Sequence, residues 1–527
     1  MKKSFFFIAI ALIIFSCGPS QKTNEQVATK TEVRQPVDPT VYGTSITAAD
    51  LKEMLYTYAS DEFEGRNTGD KGQKMAVEYL KQKYISMGIP SALPNTYFQN
   101  VPLEKQKSPD VTMNVNGTDF AAYEDFVSYG SSNTQKITSD DIIYAGYGID
   151  SDTYSDYTNL NVEGKIVLIK EGEPKNEAGI YTISGTSQAS KWSNGRQALS
   201  SKRDVAKKKG VKALFLMDNA MFERYSAYYK AQDDAGESGR ISLVNNKPEM
   251  LQFLIGEKLA TAMFPKIKEE TKSQILTTKL SIDVVSKSEK LSSENVAAFI
   301  KGTEKPDEVI VVSAHLDHEG IKNGEIYNGA DDDGSGTVAV VEIAKAFKKA
   351  VDEGHGPKRS ILFLHVTGEE KGLLGSQYYA DMSPIIPLKN TMVDLNIDMI
   401  GRTDPMHETN RNYVYLIGSD KLSTDLHNIS EEVNKKYSNL TLDYKYNDDN
   451  DPNRFYYRSD HYNFAKNNIP VIFYFNGTHA DYHKPTDTPD KIEYDLLQNR
   501  ARLVFYTAWE LANRENKIVV DKAKATE

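Results

Sequence analysis

Four short apolar runs in the C-terminal half, at residues 309–313, 361–366, 392–397 and 471–474, alternate with stretches of helical periodicity at 336–349 and 371–382. Another apolar run, at 296–300, precedes them. Strands joined by helical crossovers pair in parallel, and a parallel sheet needs helices over both faces. The pattern therefore predicts an α/β fold: a mostly parallel mixed sheet sandwiched by helices. In open sheets of this kind, sites gather where the chain leaves the carboxyl ends of the strands. The sequence sets His315, Asp332, Glu370, Asp398 and His483 just beyond such ends.

Two imidazoles and three carboxylates suit a pair of Zn²⁺ ions, because one carboxylate can bridge while each ion keeps a position open. Glu369 precedes Glu370, so one neighbour can bind metal while the other takes a proton from water and returns it to a leaving amine. Asp317 lies two residues past His315, where its carboxylate is expected to accept from the imidazole and fix its tautomer. Singly, each residue has a plainer reading. Asp331, Asp332 and Asp333 suit the N-terminus of the helix near Ser335, and Glu369 and Glu370 suit the first turn of the next one. The five together argue for metal. His318, His365 and His479 are read as packing residues, and His461 as near the site without a role.

The blocks that carry these residues are Ala314-His315-Leu316-Asp317, Asn328-Gly329-Ala330-Asp331-Asp332-Asp333-Gly334-Ser335-Gly336, Gly368-Glu369-Glu370-Lys371-Gly372, Ile397-Asp398-Met399-Ile400-Gly401, Arg458-Ser459-Asp460-His461 and Tyr482-His483. In this order they resemble the di-zinc aminopeptidases, a family that also includes glutamate carboxypeptidase and the non-enzymatic transferrin receptor. The resemblance implies that Asp332 bridges two Zn²⁺ ions, that His315 and Asp398 complete one site, and that Glu370 and His483 complete the other. It implies Glu369 as the catalytic base, Tyr482 as an oxyanion donor and Arg458 on the substrate side. Residues 61–69, read as a loop before a helix at 71–87, resemble the family's N-terminal catalytic portion and receive no chemistry. Residues 108–288 alternate short strands with one helix near 202–209 and resemble an inserted, smaller, β-rich α+β protease-associated domain. That insertion is read as a lid or substrate-access module, with a purely structural insertion as the alternative.

The chain has 527 residues, more than one ordinary core holds. Its expected parts are a signal peptide at 1–16, a flexible tether at 17–45, peptidase segments at 46–107 and 289–516 around the insertion, and a tail at 517–527. Lys2 and Lys3 form the basic start and Phe5 to Phe15 the apolar core of a signal peptide, and Ile14-Phe15-Ser16-Cys17 resembles a bacterial lipobox. Cleavage before Cys17, the only cysteine, would give an exported protein tethered to a bacterial membrane by lipid on Cys17. A formal net charge of −11 opposes nucleic acid, whose phosphates call for a basic surface. The expected partners are peptide substrates. The sequence supports an exported aminopeptidase first. A carboxypeptidase or dipeptidase on the same site, a single-zinc cyclase and a non-catalytic binding protein are alternatives. It leaves the oligomeric state open.

Overall fold

The computed structural model describes residues 37–129, 133–193, 195–236, 239–244 and 249–523. Cys17 and the expected signal peptide lie outside the described residues. Among those residues, no helix is long and apolar enough to cross a membrane. Pro39–Glu527 is one compact unit.

Its larger sheet has nine strands. Four at its centre, Val471–Phe475, Thr391–Ile397, Lys305–His315 and Arg359–Val366, pair in parallel in that spatial order. Every residue of the strands Arg359–Val366, Thr391–Ile397 and Val471–Phe475 is buried, so they are mostly apolar on both faces, and polar exceptions such as Asp394 and Asn396 accept inside from Ser313 of the neighbouring strand. Antiparallel strands extend both sides: Tyr413–Ile417 on one, then Ser288–Ile300 and Phe98–Gln106 on the other. The mixed sheet is thus parallel through its centre, with one more parallel pair, Tyr413–Ile417 with Thr441–Asp443, at its edge. On one face the helix Gly336–Asp352 packs Phe347 against Phe363 of the sheet and Phe505 of the helix Tyr494–Asn513. On the other, Tyr379, Ala380, Phe464 and Ala465 cover Val309, Val311, Leu362 and Leu364. The expected helix at 371–382 begins only at Leu374, because Leu373 takes a left-handed conformation (φ 60°), and residues Tyr378–Met382 form a wider turn.

A second sheet of eight strands lies within residues 110–285. It too has a parallel middle, formed by Gln135–Tyr144, Ile166–Lys170, Ala213–Met217 and Leu251–Ile255. Three helices accompany it, Gly195–Lys208, Asn219–Asp234 and Glu257–Met263, where the sequence led us to expect one. Asn219–Asp234 escapes pattern reading because it fully buries only Ser226 and packs through the partly buried Met221, Phe222, Tyr225 and Tyr229. The segment Arg240–Leu243 leaves this sheet and pairs with Phe98–Gln106 at the edge of the larger one.

The N-terminal part differs from the tether expected to residue 45. Thr40–Gly43 forms a helical turn, and Tyr42 is buried. Its hydroxyl lies 2.6 Å from His355 Nδ1 and its ring 5.4 Å from that of Trp509, so an apolar anchor docks residues that composition alone assigns to a linker. Further on, Thr47 caps the helix Ala48–Tyr58 by accepting from Asp50 N at 3.1 Å.

Candidate metal centre

All five expected ligands come together at the carboxyl edge of the larger sheet. His315 ends its strand, and its Nδ1 lies 3.0 Å from the backbone carbonyl of Asp317. A carbonyl only accepts, so Nδ1 carries the proton and Nε2 keeps its lone pair. That Nε2 faces Asp332 Oδ1 at 3.1 Å and Asp398 Oδ1 at 3.5 Å. From the opposite side, His483 Nε2 faces Asp332 Oδ2 at 2.9 Å and Glu370 Oε2 at 3.4 Å. Asp332 thus lies between the two groups, with one oxygen toward each.

Backbone design explains how adjacent aspartates divide their work. Asp333 is fully buried, and its carboxylate accepts from His315 N, Gly336 N and Met399 N, tying three ligand segments together and capping the helix. Asp331 accepts from Gly401 N at 2.6 Å and meets His479 Nε2 at 3.1 Å. Asp487 in turn accepts from the backbone N of Asp331 and Asp332. Only Asp332 is left aimed at His315 and His483. The peptide between Asp332 and Asp333 is cis. His483 has φ 52°, a conformation uncommon for a residue with a side chain and concentrated at functional sites.

Asp317 supports the site differently from expectation. Its carbonyl, not its carboxylate, holds the imidazole, since the nearest carboxylate oxygen stands 4.0 Å from Nδ1. The carboxylate instead accepts from Thr68 Oγ1 at 2.6 Å and Glu369 N at 3.2 Å. It therefore fixes the Glu369 loop.

The loop at 61–69, to which the sequence assigned no chemistry, carries a second support. Arg66 is 1% exposed, and its guanidinium donates to the carbonyls of Leu316, Tyr58, Asn328 and Gly329. It thereby staples the segments just after His315 and just before Asp332. Sequence gives little sign of this, because its partners are backbone atoms that any residue supplies.

Three more residues join the cluster. His318 is fully buried, with Nδ1 2.8 Å from Glu370 Oε1 and 3.8 Å from Asp332 Oδ2, so its reading as a packing residue needs correction. Glu319 brings an oxygen to 3.8 Å from His483 Nδ1. Asp460 is buried behind Glu369 and accepts from Ser376 Oγ. Of the other two histidines read as packing residues, His365 meets the Tyr84 hydroxyl at 2.7 Å, whereas His479 pairs with Asp331 as given above; His461, read as near the site without a role, stacks on Phe473.

The electrostatics favour cations. Burial opposes charge on His315, yet Asp398 and Asp332 raise its pKa well above the usual range. Burial opposes charge on His483 as well, but contacts with Asp332 and Glu370 lift it to about 10. Glu369 is raised well above an ordinary carboxylate, first by burial and then by the charges of Glu370, Asp398 and Asp460. Burial, with nearby Asp317 and Asp398, lifts Asp460 to about 7 despite His315 and Ser376. So dense a set of buried carboxylates calls for positive charge.

The donor set fits metal. Nε2 of His315, Nδ1 of His318 and Oε1 of Glu370 are buried without a hydrogen-bond partner, although other donors and acceptors lie close by. The groups His315–Asp332–Asp398, His318–Asp332–Glu370 and Glu319–Glu370–His483 each present ligand atoms within 4.8 Å of one another. Imidazole and carboxylate donors at such spacing suit Zn²⁺.

A narrow cleft opens over these atoms. Asp332, Glu369, Asp398 and His483 line it, and Met399, Phe455, Phe473 and Phe475 make it apolar on one side. Tyr482, stacked on His483 at 3.9 Å, and Arg458, over the Phe455 ring at 4.8 Å, also line it.

Comparison with known proteins agrees with this geometry. Residues 295–508 match the model of peptidase family M28. The chain is 33% identical over 130 residues to a glutamate carboxypeptidase 2 homolog of Caenorhabditis elegans, covering 24% of this chain and 16% of that protein. It is 25% identical over 312 residues to aminopeptidase YwaD of Bacillus subtilis, covering 55% and 61%. It is 27% identical over 353 residues to the probable leucine aminopeptidase 2 of Aspergillus oryzae, covering 66% and 57%. The chain thus spans less than two thirds of each of these relatives.

Proposed function

We propose that this protein is an exported, co-catalytic di-zinc aminopeptidase. The observation that carries the reading is the convergence of His315, Asp332, Glu370, Asp398 and His483, with Asp332 between two groups and Glu369 beside them. When bound, two divalent cations supply Lewis acidity to a scissile carbonyl and make water acidic enough to attack near neutral pH. Glu369 takes the proton as the C–O bond forms, then delivers it to the amine as the C–N bond breaks. The Tyr482 hydroxyl stays protonated, because burial and the carboxylates around it raise its pKa, and it donates to the oxyanion. Arg458 stands on the substrate side of the cleft.

Aminopeptidase is preferred over carboxypeptidase because the two relatives named aminopeptidases match more than half of this chain, whereas the glutamate carboxypeptidase homolog matches 24%. The lipid tether at Cys17 rests on the 14–17 sequence alone, and cysteine-dependent fatty-acid labelling tests it. The insertion at 108–288 is read as a protease-associated domain that governs substrate access.

Glu369→Gln tests the centre. The variant keeps wild-type zinc content while kcat on an aminoacyl substrate falls about 10²–10⁴-fold. Unchanged turnover removes Glu369 as the base. Hydrolysis of N-blocked peptides in a substrate panel, rather than of free amino termini, moves the reading to a carboxypeptidase.

A further inference from the structure

His318 lies in the cluster without an assigned part. Its ring is 0% exposed, and neither ring nitrogen has a hydrogen-bond partner. A buried imidazole left unpartnered is costly unless something else occupies its lone pair. Nδ1 sits 2.8 Å from Glu370 Oε1, yet that oxygen also has no hydrogen-bond partner. The two atoms are close without being aligned on each other, as expected for donors directed at a shared third point.

The surrounding backbone fixes the ring there. His318 N donates to the carbonyl of Arg66, whose side chain staples the same loops. Gly329 has φ 54°, and a Cβ there would lie 2.5 Å from the His318 ring carbons. Glycine at 329 therefore makes room for this imidazole.

The donor atoms form one knot. His318 Nδ1 is 2.8 Å from Glu370 and 3.8 Å from Asp332, while His483 Nε2 is 2.9 Å from Asp332 and 3.4 Å from Glu370. Zinc bonds of about 2.0–2.1 Å in a tetrahedron space neighbouring ligand atoms by roughly 3.3 Å. The two His318 separations bracket that value, and His483 approaches the same Asp332 oxygen but the other oxygen of Glu370, Oε2.

We propose that His318 is a fourth protein ligand at the site formed by Asp332, Glu370 and His483. Resting on the di-metal reading above, this makes the two sites unequal. The His315–Asp332–Asp398 site has three protein donors and an open position, whereas the His318 site is closed by four. The closed site holds its cation more tightly, and the open one exchanges and meets substrate.

The test uses metal-stripped full-length protein titrated with Zn²⁺ against a competing chelator and with Co²⁺ followed by its visible absorption. Wild type binds two equivalents of unequal affinity. His318→Ala weakens the tighter one about 10²-fold or more, since losing a ligand exceeds the loss of an outer partner, and changes the spectrum of the first Co²⁺ bound. Wild-type affinities and spectrum in His318→Ala overturn the proposal. Should that variant not fold, X-ray absorption of the wild-type di-zinc protein decides: three imidazoles shared over two zincs support the assignment, and two overturn it. Fewer than two equivalents in the wild type instead strikes the di-metal reading.

Discussion

The two sheets share a plan and differ in how they treat charge. Each runs parallel through its middle, and each gathers ionisable side chains where the parallel strands end. In the insertion those groups find partners within the protein. Lys170 Nζ donates to the carbonyls of Ile267, Lys268 and Glu270, and Lys202 Nζ to those of Lys170 and Gly172. Glu173 accepts from Ser190 N, Ser190 Oγ and Ser193 Oγ, and Asp218 caps a helix through Met221 N. At the peptidase edge, by contrast, His315, His318 and Glu370 each keep a buried polar atom without a partner. A satisfied cluster holds a fold together; an unsatisfied one is arranged for something that binds.

The largest effect that separates the two regions is expected at Lys202. It is 1% exposed, burial pulls its pKa down to about 8, and Asp156, Asp218, Glu171 and Glu173 supply opposing charge. Lys202→Met strands two carbonyls and those carboxylates, for a loss of about 3–5 kcal/mol. Urea unfolding in a Trp509→Phe background reads it through Trp192, the remaining tryptophan, while kcat/KM of the folded protein stays within about twofold of the parent. Lost turnover at unchanged stability would give the insertion's cluster a catalytic part and break the contrast.

Acid sharpens the same contrast, because all nine histidines fall in the peptidase half. Burial depresses both His365 and His461 to about 3. Both are neutral in the folded protein, so below about pH 6.5 the unfolded chain takes up protons that the folded one refuses. Their contribution is intact above pH 6.5 and is lost as pH falls toward 3, by up to about 1.4 kcal/mol per pH unit for each group. In metal-stripped protein, His461→Phe, which preserves the stack on Phe473, should flatten the fall in stability between pH 7 and pH 5. An unaltered slope means that the ring is not held neutral.

The legibility of the sequence follows from the same distinction. The central strands are readable because helices cover both faces and keep them mostly apolar, although Asp394 and Asn396 interrupt one of them. The five candidate ligands are readable because few residue types bind zinc and their blocks lie beyond the apolar runs. The strands Phe98–Gln106 and Tyr413–Ile417 were not anticipated, nor was the helix Tyr494–Asn513, which buries thirteen of its twenty residues and so lacks a clean polar face. Arg66 was invisible because it acts on carbonyls. The place of His318 in the cluster was missed because a histidine near a candidate ligand has the same letter whether it packs or faces carboxylates; His461 has orphaned nitrogens too, and what sets His318 apart is Glu370 Oε1 at 2.8 Å and Asp332 Oδ2 at 3.8 Å.

The smallest effect reverses the sign seen at Lys202. Burial first, then the charges of Glu370, Asp398 and Asp460, raise the pKa of Glu369 in the folded protein. A carboxyl raised in this way favours folding below its unfolded pKa, near 4.5, and loses that advantage as pH climbs through the folded value. At pH 7.5 the unfolded chain ionises Glu369 freely, whereas the folded site resists. Glu369→Gln removes the penalty, so the metal-stripped variant should be more stable than its parent by about 0.5–2 kcal/mol at that pH. Near pH 4 the difference should vanish. The residue whose loss most damages turnover would then be one whose loss helps the fold, while Lys202 shows the opposite pairing. A Glu369→Gln protein less stable than its parent at pH 7.5, with metal absent from both, would mean that this carboxyl is as well satisfied as those of the insertion.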